Sequence, residues 1–149
     1  PITGTIHPLS LTTFWAPPII YGFPPGVFTE TVILHHTVPT QTVPPPPKGG
    51  VRVGRPFTAR ATGAGVPSPR QPAPDQTYTV TVGYDPAAIL STLVDTLRLK
   101  YWDGTTWSQK GITSTVDTDR HAVVAQVDHF TLFALIAEGH QIFLPVVVR

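Results

Sequence analysis

The sequence predicts an all-β fold, a two-sheet antiparallel sandwich with one short helix and long Pro-rich loops. Three stretches of alternating polarity predict it. Leu97, Leu99 and Tyr101 alternate with residues of the opposite face, and Asp103-Gly104 then supplies the turn of a tight hairpin. The ranges 77–84 and 123–128 alternate in the same way, and the second leads into an almost wholly apolar run. Strands with one buried face are typical of two packed antiparallel sheets.

The same stretches predict which residues form the core, because residues two apart in a strand share a face. Thr79 and Thr81 mark the outward face of one strand, and Arg98 and Lys100 mark that of another. The residues predicted to lie in one core are Tyr78, Val80, Val82, Leu97, Leu99, Tyr101, Val123, Ala125, Val127 and Phe133.

A short helix is predicted after the first of these strands, from Asp85 to about Val94. Asp85 is a favoured N-cap residue, and Pro86 suits the first helical position. The apolar side chains that follow have helical spacing and are expected to cover one end of the sandwich: Ile89, Leu90 and Leu93.

The first half of the chain contains shorter β-prone stretches separated by proline and glycine. β-Branched and aromatic residues favour strands, and proline ends them. The ranges predicted as strands are 2–6, 11–15, 19–23, 29–38 and 55–61. Between them, Pro44-Pro45-Pro46-Pro47 favours polyproline II, because each ring fixes φ and removes a backbone donor, and the range 63–74 is predicted as a surface loop.

The length of 149 residues predicts one domain, with a Pro-rich first half (1–74) and a second half (75–149) that carries the clearest strands. Only 13% of the residues are charged and the net charge is +1, so we expect no nucleic-acid partner. The apolar runs are shorter than a membrane span requires, so we expect no membrane span.

The absence of cysteine excludes disulfides and thiolate chemistry. Methionine and asparagine are absent too, and there are 18 prolines. This composition suits a hot or long-lived extracellular setting, although a biased genomic base composition would produce it as well. We expect an extracellular or cell-surface protein, secreted with a signal peptide that has been removed.

A family resemblance rests on Leu97-x-Leu99-x-Tyr101-Trp102-Asp103-Gly104-x-x-Trp107, a Val/Ala-rich strand and His129-Phe130-Thr131-x-Phe133-Ala134-Leu135. This pattern resembles the ZU-type β-sandwich module of ankyrins and netrin receptors, and more closely its relatives in secreted surface proteins of filamentous green non-sulfur bacteria. The resemblance runs from about Phe57 to the end, with an earlier turn at 23–28. It implies a structural or adhesive module.

The resemblance also implies one reaction, since some relatives cleave themselves at a His-Phe-Ser or His-Phe-Thr tripeptide. Here Thr131 would be the nucleophile, Phe130 the residue before the cut, and His129 the group that polarises or deprotonates. The alternative is that His129 and Phe133 are core positions of the last strands. The sequence contains no other arrangement of nucleophile and base, so we expect no enzymatic turnover.

No cofactor or metal is expected. His35 and His36 are adjacent in a predicted strand, so they point to opposite faces and cannot chelate one ion. Oxygen ligands for calcium occur in 117–128, at Asp117, Asp119 and Asp128 with His121 nearby, but their spacing matches no calcium loop.

Three tryptophans offer a stacking surface for sugar rings: Trp15, Trp102 and Trp107. Trp102 and Trp107 flank the Asp103-Gly104 turn, which makes contact between them across the hairpin the competing interpretation. Glycan contact at Trp102 and Trp107 is one predicted binding function.

Both ends of the chain are candidates for strand donation, in which a terminal segment of one copy completes a sheet of the next. The candidate assembly residues are Ile2, Ile6, Leu11, Phe14, Trp15, Ile142, Phe143, Leu144, Val146 and Val148. Folding of these segments onto their own domain is the alternative. The sequence thus favours an extracellular structural protein, a homopolymeric subunit of a surface filament or layer. A C-terminal binding or anchoring module of a larger secreted protein is the alternative.

Overall fold

Two antiparallel sheets pack face to face in the computed structural model, which describes residues 2–138. Sheet I has the strand order β1-β4-β5-β12-β8-β9, with β6 beside β5, and sheet II has the order β10-β11-β7-β3-β2. The strands are β1 (Ile2–Ile6), β2 (Thr12–Ala16), β3 (Ile19–Phe23), β4 (Val32–Thr37), β5 (Gly50–Gly63), β6 (Pro69–Arg70), β7 (Tyr78–Gly83), β8 (Arg98–Trp102), β9 (Trp107–Ser108), β10 (Ile112–Asp117), β11 (Ala122–Val127) and β12 (Leu132–Glu138).

Both halves of the chain contribute to both sheets. In sheet I, β12 pairs with β5 on one side and with β8 on the other. In sheet II, β3 of the first half pairs with β7 of the second, with Tyr21 opposite Val80. The predicted all-β, two-sheet antiparallel sandwich is therefore confirmed.

Aromatic rings fill the space between the sheets. Tyr21 and Tyr78 are fully buried, and Phe23 stacks on Tyr78 with ring centroids 5.1 Å apart. Phe130 also stacks on the Tyr78 ring, with centroids 4.6 Å apart. Nine of the ten residues predicted for the core are buried, and Tyr101 is half-buried and packs against it. The alternating stretches therefore predicted the inward faces correctly.

Strand β5 is much longer than predicted because it contains a bulge. Phe133 of β12 lies opposite Phe57, but Leu135 lies opposite Val53, so three residues of β5 face one of β12. Gly54 lies in this bulge with a φ of +73°, a conformation that glycine adopts easily. Pro56 is tolerated there too, because a bulge does not require its missing N–H. Residues that resemble strand breakers in the sequence thus bend the strand without ending it.

The predicted helix is two 3₁₀ turns, Pro86–Ala88 and Ser91–Thr96. Asp85 caps the first turn, accepting a hydrogen bond from the Ala87 amide at 2.9 Å. The chain is extended between the turns, so Leu90 points outward, contrary to the prediction, while Ile89 and Leu93 are buried. Initiating an α-helix is costly, and a segment this short with β-branched residues gains little to offset that cost.

The Pro-rich segments are held by the chain itself. The Trp107 indole N–H donates to the carbonyls of Pro44 and Pro45 at 3.3 and 3.0 Å, and Arg52 Nη1 donates to the Pro44 carbonyl at 3.1 Å. In the range predicted as a loop, β6 pairs with the end of β5. The polyproline segment therefore lies on the outer face of sheet I.

No helix among residues 2–138 is long and apolar enough to cross a membrane.

Candidate functional site

The N-terminal candidates for strand donation divide into buried and exposed residues. Ile6 and Phe14 are core residues of their own chain, with 2% and 9% of their surface exposed. Their selection as assembly residues is therefore corrected, because a side chain that fills its own core is not available to another copy. The cause is the alternation of β1 and β2, which turns these two positions inward.

The first two strands close one side of the sandwich. Among residues 2–138, β1 pairs only with β4 and β2 pairs only with β3, so each ends its sheet on this side. The Phe14 ring lies directly on the backbone of Gly4, and a Cβ at that position would overlap the ring. Glycine thus lets the two end strands approach closely.

The free edges of β1 and β2 lack charge, and we call this side of the molecule the uncharged side. Residues 1–29 contain no Asp, Glu, Lys or Arg. About half of the backbone N–H and C=O groups of an end strand point away from its sheet, and within residues 2–138 those of β1 and β2 have no strand to pair with. Soluble proteins usually protect such edges with charged residues, proline or bulges, and β1 and β2 contain none of these.

Exposed apolar side chains lie on the same part of the chain. Leu11 and Trp15 are 69% and 64% exposed, and Ile2 is 46% exposed. These three keep their place as candidate assembly residues. The C-terminal candidates Ile142, Phe143, Leu144, Val146 and Val148 lie outside the described residues.

The opposite side of the sandwich is protected. There β9 has only two residues, and β10 ends in Asp117. The Leu99 amide of β8 donates to Ser114 Oγ of β10 at 3.0 Å, so a side chain of one sheet satisfies a backbone group of the other. Lys100 of β8 forms an ion pair with Glu138 at 3.0 Å. We call this the charged side.

His129 has a carboxylate partner on one ring nitrogen and no partner on the other among residues 2–138. Its Nδ1 lies 2.6 Å from Asp128 Oδ1, and its ring contacts the Tyr101 ring edge-on at 4.2 Å between centroids. Nε2 is buried and has no hydrogen-bond partner within residues 2–138. The Tyr78 hydroxyl donates to the His129 carbonyl at 2.7 Å. Burial raises the pKa of the Tyr78 hydroxyl, so it remains protonated as this bond requires.

The backbone around the Phe130-Thr131 bond is tightly held. Phe130 N donates to Gln71 Oε1 at 2.8 Å, and the Thr131 carbonyl accepts from the Ala59 amide at 3.0 Å. Phe130 itself is buried in the aromatic core. In the described chain, positive φ outside glycine occurs at Asp75 and His121, so this bond does not lie in the left-handed region where backbone strain is expected.

The predicted tryptophan pair forms a hairpin contact. Trp102 and Trp107 are opposite each other in β8 and β9, edge-on with ring centroids 5.7 Å apart. Trp107 is 6% exposed and its indole N–H is hydrogen-bonded to the polyproline segment. Its assignment to glycan contact is therefore corrected. Trp102 is half-buried beside it.

Trp15 does not join this pair. It lies on the outer face of sheet II, since its neighbours Phe14 and Ala16 point into the core, whereas Trp102 and Trp107 lie on the outer face of sheet I. The three tryptophans therefore form no common surface.

His35 and His36 point to opposite faces, as predicted. His36 is buried with Nδ1 2.7 Å from the Tyr21 hydroxyl, whereas His35 Nε2 lies 2.9 Å from Thr62 Oγ1 on the outer face. Burial lowers the pKa of His36 and raises that of Tyr21. His36 is therefore neutral, and its Nδ1 accepts a hydrogen bond from the protonated Tyr21 hydroxyl.

Two of the three carboxylates considered for calcium are engaged elsewhere. Asp117 accepts a hydrogen bond from the Arg120 amide at 3.2 Å, and Asp128 pairs with His129. Among residues 2–138, no three His, Asp or Glu side chains cluster as metal ligands would.

No protein-family model matches the sequence, and a search of curated proteins finds no similar chain. The resemblance to the ZU-type module stays a prediction.

Sequence reasoning treated the N-terminal segment as a donor strand and overlooked its role as an edge. The signal was the missing charge over 29 residues, which is visible in the sequence. That this uncharged segment forms an end strand in both sheets became clear only from the fold.

Proposed function

We propose that the protein is an extracellular structural subunit that assembles with copies of itself through the uncharged side. The observation that carries this proposal is the pair of unprotected end strands, β1 and β2, in a segment without charged residues. A strand added to either edge would pair its outward backbone groups, and one added beside β2 would also cover part of Leu11 and Trp15. The role is structural and not catalytic.

A filament needs a donor as well as an acceptor, because an edge that pairs only with its own copy closes a dimer. The range 142–148 is apolar at every position, so a strand formed by it requires cover on both faces. We propose that this segment of one copy adds to the uncharged side of the next. Head-to-tail addition of this kind does not close and produces a filament or layer.

The proposal is tested by placing lysine on the two end strands. Thr3 and Thr13 are exposed, so Thr3→Lys with Thr13→Lys adds charge to β1 and β2 without disturbing the core. The matched control is Thr113→Lys with Thr115→Lys, which makes the same change at exposed positions of the end strand β10. Electron microscopy and sedimentation should show polymers for the unmodified chain and the control, and a folded monomer for the first variant.

A monodisperse monomer of the unmodified chain at high concentration would refute assembly. The alternative, a terminal binding or anchoring module of a larger secreted protein, would then be favoured. Polymers that persist in the Thr3→Lys, Thr13→Lys variant would instead place the interface elsewhere.

A second candidate function, self-cleavage before Thr131, is favoured by one observation, the Asp128–His129 pair with an unpartnered Nε2. A carboxylate on Nδ1 leaves Nε2 free to accept a proton, as general-base histidines do. Mass spectrometry of the purified chain tests it, since cleavage yields two fragments and His129→Ala would restore one intact mass. An intact mass for the unmodified chain would exclude efficient cleavage.

A further inference from the structure

A cleft of about 300 Å³ lies at the end of the sandwich that carries the 3₁₀ turns. One wall comes from the end of β7 and the two turns, and the other comes from the loop between β10 and β11. The Tyr84 amide donates to the His121 carbonyl at 2.9 Å, which fixes the loop to the end of β7. Thr96 Oγ1 donates to the Leu93 carbonyl at 2.6 Å and fixes the second turn. Both walls are therefore held by hydrogen bonds within the chain.

The polar atoms of this cleft are available to hydrogen-bond a ligand, and the Tyr84 and His121 rings contact each other edge-on. None of them makes a hydrogen bond or ion pair with another group of residues 2–138: Tyr84, Ser91, Asp95, Thr118 and His121. Elsewhere, side chains of the same types are often engaged, such as Ser114 with the Leu99 amide and Asp128 with His129. Tyr84 is 8% exposed and lines the cleft, and its unpartnered hydroxyl oxygen is not fully enclosed.

The chemistry of the cleft selects a class of ligand. Three hydroxyls, one carboxylate and one imidazole supply donors and acceptors in about equal measure, as alternating hydroxyls of a sugar ring require. Asp95 can accept from two adjacent hydroxyls, and such charge-assisted bonds are the stronger kind. No lysine or arginine of the described residues lines the cleft to attract an anion. Pro86 and Val94 supply an apolar patch for the C–H face of a ring.

We propose that this cleft binds one ring of a neutral saccharide. The site is distinct from the tryptophans that suggested glycan contact in the sequence, and it does not depend on the assembly of copies. A saccharide unit of a cell-surface glycan is of suitable size for a cleft of about 300 Å³.

The experiment is ligand-observed saturation-transfer NMR on the full chain, which works for monomers and polymers alike. The probes are methyl glucoside, methyl mannoside, methyl galactoside and N-acetylglucosamine, titrated to about 50 mM because an open cleft of this kind should bind with a Kd of about 1 mM. Glucosamine serves as the cationic counterpart. We expect saturable transfer from the chain to at least one neutral probe.

Two variants locate the site. Asp95→Asn keeps the shape of the side chain but loses the charge, and should weaken binding about tenfold. Asp119→Asn is the matched control, an equally conservative change at an exposed residue of the loop between β10 and β11 that does not line the cleft, and should have no effect. Absence of saturable transfer from every neutral probe, equal binding by the Asp95→Asn variant, or binding of glucosamine alone would overturn the proposal.

Discussion

The two sides of the sandwich differ in how they end their sheets. On the charged side, Ser114 of β10 satisfies a backbone amide of β8, and Lys100 pairs with Glu138. On the uncharged side, β1 and β2 end their sheets without a charged residue, and their contact depends on the Phe14 ring against Gly4. One side is closed by polar bonds within the chain. The other is closed by apolar contact, and no strand among residues 2–138 pairs with its backbone edge.

This difference separates stability from association. Polar groups on the charged side are used within the chain, so changes there should alter the free energy of unfolding. The open backbone groups of β1 and β2 contribute nothing to the isolated fold, so blocking them should leave stability unchanged and alter association.

The largest effect is expected for Phe14→Ala. Phe14 is buried and holds β2 against β1, and removal of a buried phenylalanine ring costs about 3–5 kcal/mol. Urea denaturation measures the change. Trp15→Ala, one residue further along and exposed, should change stability by less than about 0.5 kcal/mol. Equal losses of stability for the two variants would mean that β2 does not pack against β1 through Phe14.

Gly4→Ala should destabilise the fold by about 1–3 kcal/mol, because the added methyl group overlaps the buried Phe14 ring. Gly22→Ala is the matched control on β3, where the nearest atom, Thr79 Cβ, lies 3.8 Å from the new group. Thermal unfolding of both variants checks the prediction. A Gly4→Ala variant as stable as the control would contradict the close contact of β1 with β2.

Acid should weaken the uncharged side through His36, whose strand pairs with β1. Burial lowers the pKa of His36 below its ordinary value, so the unfolded chain binds a proton before the folded chain does. The contribution of neutral His36 to stability is complete above about pH 6.5 and is lost as the pH falls through the lowered pKa. The loss is about 1.4 kcal/mol for each pH unit by which folding lowers this pKa. His36→Gln, which keeps an acceptor for the Tyr21 hydroxyl, should show a smaller loss between neutral and acid pH in denaturation curves. An unchanged pH dependence would contradict the assignment.

On the charged side, Ser114→Ala should lower the free energy of unfolding by about 1–2 kcal/mol, since the Leu99 amide loses its acceptor in the protein interior. Thr115→Ala, at the exposed neighbouring position, should cost less than about 0.5 kcal/mol. Faster hydrogen exchange of the Leu99 amide in the first variant would show that this bond is the cause. Exchange at the rate of the unmodified chain would show that the amide has another partner.

The sequence predicted the strands whose polarity alternates, such as β7 and β11, because alternation directly reports a half-buried face. It did not predict the full length of β5, where Gly54 and Pro56 act within a bulge that depends on the partner strand β12. The role of Trp107 was also missed, because its contact with Pro44 and Pro45 joins residues far apart in the chain.

The candidate site was only partly predictable. Ile2, Leu11 and Trp15 are exposed and stay predicted assembly residues, but Ile6 and Phe14 belong to the core, which only the strand register reveals. The cleft beside Tyr84 and His121 could not be predicted, since it forms where two separate loops meet.

Amide hydrogen exchange at increasing protein concentration tests the central claim most directly, since strand addition must protect the outward amides of the end strands. If copies pair through the uncharged side, amides of β1 and β2 should exchange more slowly as concentration rises, while those of β10 should keep the same rate. Rates in β1 and β2 that do not depend on concentration, or protection confined to β10, would contradict assembly through the uncharged side.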